Sequence, residues 1–495
     1  IGWAKKDDDS KNVIAQFGLV WLNTEDSSAH GTFNVTDSHS FTLGDALQDN
    51  LNSTAYGFGW DGKSLSKTGD GTLIFSAING YTGSTTVNEG TLRTAIADTL
   101  NGSSDIIVNG GVLDLNGNNQ QVNRLSGSGG ILMLNGASLT AVNAADSDNS
   151  RFDGDIIDGN VADGRFIKNG DGSLTLAGQT AWTTDTELNA GELVLDGANG
   201  GAQLTSNIIG NNGSRLTLQN GAQLTGWIDP ANVDIDAVSR WSMTADSLVD
   251  HLSSAGTITI SAPTDNDFKT LTVAGNYTGN DGLIVMNTEL GGDDSQTDKL
   301  IVHGDTAGNT RVAVHNVGGV GKQTDNGIEL VHVDGSSTGH FALTTGTVEA
   351  GAYVYTLAKG SDSAAQNWYL TSKWKGPVLP VPVKPPVVDP TAPDALRPEA
   401  GSYISNIATA NTLFNHRLHD RLGEPHYTDA LKEDGLAASM WMRHVGGHER
   451  SVAGDGQLKT QSNRYVLQLG GDITQLSTDG TDRWHLGVMG GYANA

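Results

Sequence analysis

The feature that most constrains the fold of this chain is a motif that returns after 101 residues. The stretch Lys67-Thr-Gly-Asp-Gly-Thr-Leu73 reappears as Lys168-Asn-Gly-Asp-Gly-Ser-Leu174, and Gly90-Thr-Leu92 reappears as Gly191-Glu-Leu193 at the same offset. Repetition at a fixed offset is typical of stacked units, each of which packs on its neighbours. The chain therefore predicts a solenoid.

A shorter period lies inside the long one. Apolar strand centres follow one another every 19 to 23 residues, and Gly, Asn and Asp separate them. The centres are Leu73, Leu92, Val112, Leu132, Phe152, Leu174, Leu193 and Leu216. Alternating apolar and polar residues around each centre predict strands, and the residues between them predict tight turns. A leucine-rich repeat would need Leu-x-x-Leu-x-Leu-x-x-Asn, which is absent, so a right-handed parallel β-helix is the predicted all-β fold.

Composition supports a folded, exported β protein. Of the 495 residues 65 are Gly, only 17% are charged, and short aliphatic runs recur, which argues against disorder. The balance of 29 Lys and Arg against 56 Asp and Glu gives a net charge of -27, which disfavours nucleic-acid binding. The chain has no Cys, which would suit export through an oxidising compartment.

The composition changes abruptly after the predicted strands. Eight of the 11 prolines fall between Pro377 and Pro398, which predicts an extended spacer over 376–398. Apolar or small residues then recur at helical spacing, which predicts one helix over 399–423. The last part of the chain, 436–495, predicts three strands with apolar residues on one face and polar residues on the other, as membrane barrels have.

Motifs after the spacer resemble the junction and barrel start of adhesin-type autotransporters, which use type V secretion. They are Arg-Pro-Glu-Ala-Gly-Ser-Tyr at 397–403, Asn-Thr-Leu-Phe-Asn at 411–415, Arg-Leu-His-Asp-Arg-Leu-Gly at 417–423 and Ser-Met-Trp-Met-Arg at 439–443. The repeats resemble the passenger-associated repeat, and residues 270–372 resemble the pertactin-like autochaperone module.

The resemblance implies a Gram-negative outer-membrane protein with an extracellular passenger. It also implies a helix inside the barrel lumen, a passenger that folds from its C-terminal cap, and the barrel-assembly machinery as a partner. We therefore expect an N-terminal passenger segment (1–60), a β-helix (61–269), an autochaperone cap (270–372), a linker (376–398), a lumen helix (399–423) and barrel strands (436–495).

Both ends of the chain carry expectations of their own. It opens on Ile1 with no basic and apolar leader, which predicts a removed leader or a fragment. No stretch of 18 apolar residues is present, so no transmembrane helix is expected. An open three-stranded sheet cannot satisfy its backbone in lipid, so we expect an incomplete barrel that cannot insert by itself.

Four patterns resemble catalytic, nucleotide-binding or metal-binding motifs, but the secondary structure or residues that such motifs require are absent around them. Gly57–Ser64 fits a phosphate-binding loop without the helix that must follow it. Gly335–Gly339 fits a nucleophile elbow around Ser337, in a region of strands and turns. His444 and His448 are four apart, with a helix-breaking Gly-Gly between them. Asp293, Asp294 and Asp298 predict a solvated acidic loop more than a calcium site. No catalytic, cofactor-binding or metal-binding residue is predicted, and no cofactor.

The sequence favours a non-catalytic surface passenger for adhesion, autoaggregation or biofilm formation, with host surfaces or a second copy as partners. Two alternatives stay open. One is the stalk of a serine-protease passenger whose catalytic head would precede Ile1, because the Gly-Asp-Ser-Gly signature is absent. The other is a structural stalk or a nonfunctional remnant.

Overall fold

The structure is a computed structural model that describes residues 2–5, 13–16, 31–36, 38–49, 59–373, 394–417, 420, 440–476, 478 and 484–494. Most of the expected segment 1–60, and the spacer from 376 to 393, lie outside the described residues. Near the N-terminus, β1 (Gly2–Lys5) and β2 (Val13–Gln16) form an antiparallel pair.

The centre of the chain is a coil of short parallel strands. Its first turns contain two strands each: β3 (Thr32–Asn34), β4 (Ser40–Leu43), β5 (Leu65–Thr68), β6 (Thr72–Phe75), β7 (Thr85–Val87), β8 (Thr91–Thr94), β9 (Ile106–Val108) and β10 (Val112–Asp114). The following turns contain three strands each: β11 (Gln120–Val122), β12 (Leu125–Ser126), β13 (Ile131–Met133), β14 (Ser138–Ala141), β15 (Ser150–Phe152), β16 (Asp155–Ile157), β17 (Arg165–Lys168), β18 (Ser173–Leu176), β19 (Thr180–Ala181), β20 (Thr186–Leu188), β21 (Glu192–Asp196), β22 (Gln203–Thr205), β23 (Ile208–Gly210), β24 (Arg215–Gln219), β25 (Gln223–Thr225), β26 (Ile228–Asp229), β27 (Asn232–Ile235), β28 (Arg240–Met243), β29 (Ser247–Val249), β30 (Leu252–Ser254) and β31 (Thr257–Ile260).

Strands one turn apart lie side by side and build three faces. Face one contains β3, β5, β7, β9, β12, β15, β18, β21, β24, β27 and β30. Face two contains β4, β6, β8, β10, β13, β16, β19, β22, β25, β28 and β31. Face three contains β11, β14, β17, β20, β23, β26 and β29. This three-faced coil confirms the predicted parallel β-helix.

The core is the space that the three faces enclose. Alternate residues of each strand point inward, so residues in register stack in columns, as Leu73, Leu92, Leu113 and Leu132 do on face two. All four side chains are fully buried. Each turn of the coil therefore covers the apolar edge of the turn before it, which a single turn could not do alone.

Two of the predicted strand centres lie on strands but outside the face-two core column. On β10, Val112 points outward and Leu113 occupies the core column. Phe152 lies on face one, where it pairs with Leu176, while Ile156 continues the face-two column after Leu132. Leu132 and Phe152 are still about 20 residues apart, although they lie on different faces. The long loop between β14 and β15 supplies the residues that a third strand would have contributed to a full turn.

The 101-residue repeat is not a whole number of turns. The first copy places β5 and β6 on faces one and two, whereas the second places the equivalent β17 and β18 on faces three and one. The repeat therefore spans four turns and two further faces. The motif encodes a strand, a corner and a strand, and it does not encode which face it occupies.

The coil continues where the sequence repeat fades. The remaining strands are β32 (Thr270–Val273), β33 (Tyr277–Thr288), β34 (Lys299–Val302), β35 (Thr306–Asn316), β36 (Ile328–Val333), β37 (His340–Leu343), β38 (Val348–Ala350), β39 (Tyr353–Lys359) and β40 (Trp368–Thr371). The long strands β33 and β35 cover faces one and two together, and β32, β34 and β36 continue face three. Antiparallel pairing of β36, β40, β39 and β38 then ends the coil. Two short 3-10 helices, Ala198–Gly200 and Asp362–Ala364, lie in connecting loops.

The helix predicted over 399–423 is shorter and packs differently. It forms α1 (Pro398–Thr412), and the described residues after Leu413 are not part of it. Ile404 and Ile407, two of the apolar residues at helical spacing, are more than half exposed, and its buried residues are Gly401 and Thr409. Small residues allow a close approach that branched side chains would prevent, so the apolar spacing does not mark the packed side.

Three antiparallel strands complete the described chain: β41 (Met440–Ala453), β42 (Leu458–Leu476) and β43 (Trp484–Asn494). The predicted two-sided pattern is confirmed on β42, where Tyr465 and Leu469 are exposed while Val466 and Gln468 are buried. Among the described residues, no helix is long and apolar enough to cross a membrane.

Candidate functional site

The solenoid presents a row of outward-facing polar side chains, which we call the polar row. It occupies one register position on face two and consists of Asp155, Gln179, Gln203, Gln223 and Arg240. Neighbouring strands are about 4.8 Å apart, so the five side chains span roughly 19 Å. Carboxylate, amide and guanidinium groups together offer both donors and acceptors of hydrogen bonds. Sequence reasoning missed this row because the corners between its members differ in length.

An open groove of about 460 Å³, which we call the corner groove, lies at one end of the polar row. It follows the corner between faces one and two, and Arg151, Asp153, Asp155 and Gln179 line it together with glycine backbone. At Gly178 a Cβ would lie 2.0 Å from the carbonyl oxygen of Gly154 on the preceding turn. Glycine therefore keeps the floor of the groove free of side chains.

Ion pairs fix the charged wall of the corner groove. The Arg151 guanidinium donates to Asp153 at 2.7 Å and to Asp196 at 2.6 Å, which joins two turns of the coil. Burial by itself would raise the pKa of Asp196, but hydrogen bonds from Arg151, Asn220 and the Ala198 N–H outweigh it and lower the pKa to about 2. Asp155 accepts a hydrogen bond from the Gln179 N–H at 2.8 Å. The ion pair between Arg151 and Asp196 therefore stays charged across the physiological pH range.

Each copy of the long repeat buries a lysine at a corner. The Lys67 ammonium donates to the carbonyl oxygens of Thr68, Gly69 and Glu89, and that of Lys168 donates to those of Asn169, Gly170 and Ala190. Both side chains are fully buried. Burial lowers the pKa of Lys67, which the nearby Glu89 and Asp70 carboxylates oppose.

The second buried lysine has less electrostatic support. Burial lowers the pKa of Lys168 to about 8, opposed only by Asp171, because Ala190 stands where the first copy has Glu89. A lysine that caps corner carbonyls is a structural group, and nothing in this arrangement points to catalysis.

The C-terminal end of the coil closes over aromatic side chains. Trp368 on β40 is fully buried and packs edge-on against Phe341 and His340. The Lys359 ammonium lies 5.5 Å from the centre of the Trp368 ring and donates to the Ser337 carbonyl oxygen. This cluster covers the core that the last turn would otherwise leave open.

The residues with enzyme-like patterns take part in structural contacts. Ser337, considered as a nucleophile, accepts a hydrogen bond through Oγ from the Trp368 indole at 3.4 Å. Asp61, in the described part of the phosphate-loop pattern, accepts from the backbone of Lys63 and Ser64 and makes a turn. His444 packs its ring against Tyr465 on β42, on a strand and not a helix.

Two of the three aspartates considered for calcium accept hydrogen bonds from backbone N–H groups. Asp293 accepts hydrogen bonds from the backbone N–H groups of residues 325, 326 and 327. Asp298 is fully buried and accepts from the backbone N–H groups of Lys269 and Asn287 and from the Asn287 amide. In the described ranges no group of three or more His, Cys, Asp or Glu side chains could hold a metal ion.

Three family matches cover the coil, its end and the final strands. Residues 65–93 and 166–195 match the passenger-associated-transport-repeat, residues 247–357 match the Autochaperone Domain Type 1, and residues 440–495 match the Autotransporter beta-domain. The autochaperone match begins within the regular coil, at β29, and extends into β39.

Individual proteins are also similar. The chain is 71% identical over 228 residues to the uncharacterized protein YdeU of Escherichia coli K12, covering 45% of this chain and 49% of that one. It is 41% identical over 229 residues to the autotransporter adhesin AIDA-I of Escherichia coli, covering 46% and 16%. The crystal structure of the Haemophilus influenzae Hap adhesin is 16% identical, covers 67% of this chain and 42% of that one, and has a TM-score of 0.26. A TM-score this low does not define a shared fold.

A parallel solenoid, an autochaperone module and a β-domain segment in one polypeptide define a surface passenger joined to the domain that anchors it. Autotransporter family models match parts of this chain, and among the autotransporters it is similar to the adhesin type. These findings place it at the outer membrane with its passenger at the cell surface. The chain spans about half the length of YdeU and a smaller share of AIDA-I.

Proposed function

We propose that this chain acts at the cell surface by contact, in adhesion, autoaggregation or biofilm formation. The observation that carries the proposal is its similarity to a protein named as an autotransporter adhesin. The solenoid adds a surface suited to contact, because the polar row repeats hydrogen-bonding groups at even spacing. Several weak contacts along such a row would add up to useful avidity. The partners would be host surfaces or a second copy of the chain.

The contact acts without catalysis. Serine and aspartate residues that match catalytic or metal-binding patterns are engaged in structural hydrogen bonds, as Ser337 and Asp298 are. The competing function is a stalk for a serine-protease head, and the third reading is a structural stalk or nonfunctional remnant. Sequence upstream of Ile1 would distinguish the protease stalk from an adhesin, because a protease head would contain a Ser, His and Asp triad.

The division of the chain follows the same reading. We infer a β-helix over 61–269, a cap over 270–372, a linker over 376–398, a segment over 399–423 that contains most of α1 and would occupy the barrel lumen, and barrel strands over 436–495. Strands before and after residue 270 occupy the three faces in the same order. The cap therefore begins without a change of fold, and we separate it from the β-helix by its proposed role.

The experiment is gain of function on a non-adherent bacterium. The reading frame that contains this chain is expressed there, surface exposure is confirmed with an antibody, and both settling and attachment to epithelial cells are scored. We expect faster settling or several-fold higher attachment. Unchanged settling and attachment, with the passenger present at the surface, would refute contact as the function.

A matched pair of variants then tests the polar row. The triple variant Gln179→Ala, Gln203→Ala and Gln223→Ala removes the three amides, and we expect it to lose most of the gained contact. The control triple Gln121→Ala, Thr140→Ala and Asp229→Ala changes outward residues of face three. Equal losses in both triples would leave contact as the function and reject the polar row as its site.

A further inference from the structure

The chain just before α1 is held as a short strand against the end of the coil. Ala395 donates its backbone N–H to the Ser372 carbonyl oxygen and accepts from the Val354 N–H at 3.1 Å. Bridges pair Asp394 with Lys373 and Leu396 with Tyr353, both antiparallel. The segment therefore fills the position where β39 and β40 diverge, and one edge of its backbone is satisfied there.

The other edge of this segment meets the turn between β41 and β42. The Gln457 side chain accepts from the Leu396 N–H at 3.0 Å and donates to the Asp394 carbonyl oxygen at 2.5 Å. The amide of one side chain therefore hydrogen-bonds the Leu396 N–H and the Asp394 carbonyl oxygen, the two backbone groups that a neighbouring strand would otherwise pair with. The turn is itself closed by a hydrogen bond from the Gln457 N–H to the Gly454 carbonyl oxygen at 3.0 Å.

Surrounding contacts hold the segment at this place. Arg397 donates its backbone N–H to the Ala352 carbonyl oxygen at 2.9 Å, and its guanidinium pairs with Glu349 at 2.9 Å. The side chain of Leu396 lies over Gly454, where a Cβ would come within 2.5 Å of it. The segment contacts the coil on one side and the turn on the other, so it connects the two.

We propose that Gln457 is a latch that holds the base of the folded passenger on the β-domain. While its amide is engaged, the passenger has a fixed orientation at the turn between β41 and β42. When the amide is released, the contact of the Leu396 side chain with Gly454 remains, but no hydrogen bond from Gln457 fixes that orientation. The role is positional, it goes beyond the proposed contact function, and it holds whether or not the passenger is an adhesin.

Hydrogen–deuterium exchange at the Leu396 amide tests the latch. The full reading frame is purified in detergent, and exchange is followed in peptides that cover 394–397 and, as a folding reference, β36 and β40. Gln457→Ala removes both hydrogen bonds, and we expect the Leu396 amide to exchange about tenfold faster. Exchange in β36 and β40 should stay unchanged, because the coil does not depend on this side chain.

Two further variants separate the latch from a general effect of substitution. Gln457→Glu keeps an acceptor for the Leu396 N–H but cannot donate to Asp394, so we expect an intermediate rate. Gln461→Ala removes an exposed glutamine from the same strand and should match the parent chain. Fast exchange of Leu396 in the parent chain, or equal rates in the Gln457→Ala and Gln461→Ala variants, would overturn the proposal.

Discussion

Single buried polar groups account for much of what the repeat motif conserves between its two copies. Lys168 is fully buried, and its ammonium is bonded to three carbonyl oxygens at one corner. The motif was recognisable in the sequence, but the burial of its lysine was not, because lysines in turn-rich segments are usually exposed.

The pKa of Lys168 sets a pH dependence of folding. Its pKa falls from 10.5 in the unfolded chain to about 8 in the folded chain, so the unfolded chain binds more protons between these values. Stability therefore rises as the pH increases from 8 to 10.5, by up to roughly 3 kcal/mol from this group. In Lys168→Met this contribution is absent, so the stability difference between parent and variant should change across the window. Urea unfolding at pH 7.5 and pH 10.5 measures it, and parallel behaviour of the two chains would contradict the assignment.

Asp298 is, like Lys168, a buried polar group that is important for stability, and it lies in the autochaperone region. Asp298→Ala would leave three buried donors without their acceptor, and we expect a loss of about 3 kcal/mol or more. Asp294→Ala, at an exposed neighbour, should stay within about 0.5 kcal/mol of the parent. Urea unfolding of both variants decides the point, and similar losses would show that burial of Asp298 does not matter.

At the scale of elements, the corner between two strands is the unit that the sequence specifies best. Gly191 ends one such corner with φ of +65°, and a Cβ there would meet the carbonyl oxygens of Gly172 and Gly170 at 2.4 and 2.5 Å. Gly90, its equivalent in the first copy, has φ of +60° and two similar close contacts. The repeated glycines therefore reflect both a left-handed backbone and a lack of space.

Substitution separates these two causes. Gly191→Ala should cost about 2 to 4 kcal/mol, because strain and crowding act together. Gly213→Ala, at φ of +90° with nothing within 4 Å of the added Cβ, should cost only about 1 kcal/mol. The midpoints of thermal unfolding of the two variants compare them, and equal shifts would mean that crowding at the corner is unimportant.

The elements were predictable where alternation was clear, and their placement was not. Alternating residues gave the strands around Leu174 and Leu193 correctly, although burial alternates only on β18 and is nearly continuous on β21. Phe152 lies in a different column from Leu132 because loops such as that between β14 and β15 change the length of a turn without breaking the pattern. In α1, the apolar Ile404 and Ile407 are exposed, and the buried residues are Gly401 and Thr409.

For the whole molecule, the solenoid followed from the sequence and the candidate contact surface did not. The polar row depends on residues such as Gln179 and Gln203 that are in register only after the coil has formed. The latch joins Leu396 to Gln457 across 61 residues, and no local pattern signals such a contact. Surfaces of this kind arise from the assembled fold, so a single sequence cannot reveal them.

The register of the coil is the claim on which the rest depends. Thr225 on β25 is the partner of Ser242 on β28, and Thr259 on β31 follows one turn later. Adjacent strands are about 4.8 Å apart, within the range that a disulfide can bridge, whereas two turns are about 9.6 Å apart. The chain has no Cys, so every disulfide formed reports on the introduced pair alone.

The most direct measurement is disulfide formation in two double variants of the folded chain, followed by mass spectrometry after mild oxidation. Thr225→Cys with Ser242→Cys should form the disulfide nearly completely, and Thr225→Cys with Thr259→Cys should not form it. That result would establish a parallel coil with the register described. Free thiols in the first pair, or a disulfide in the second, would contradict the solenoid from which the surface, the cap and the latch are all derived.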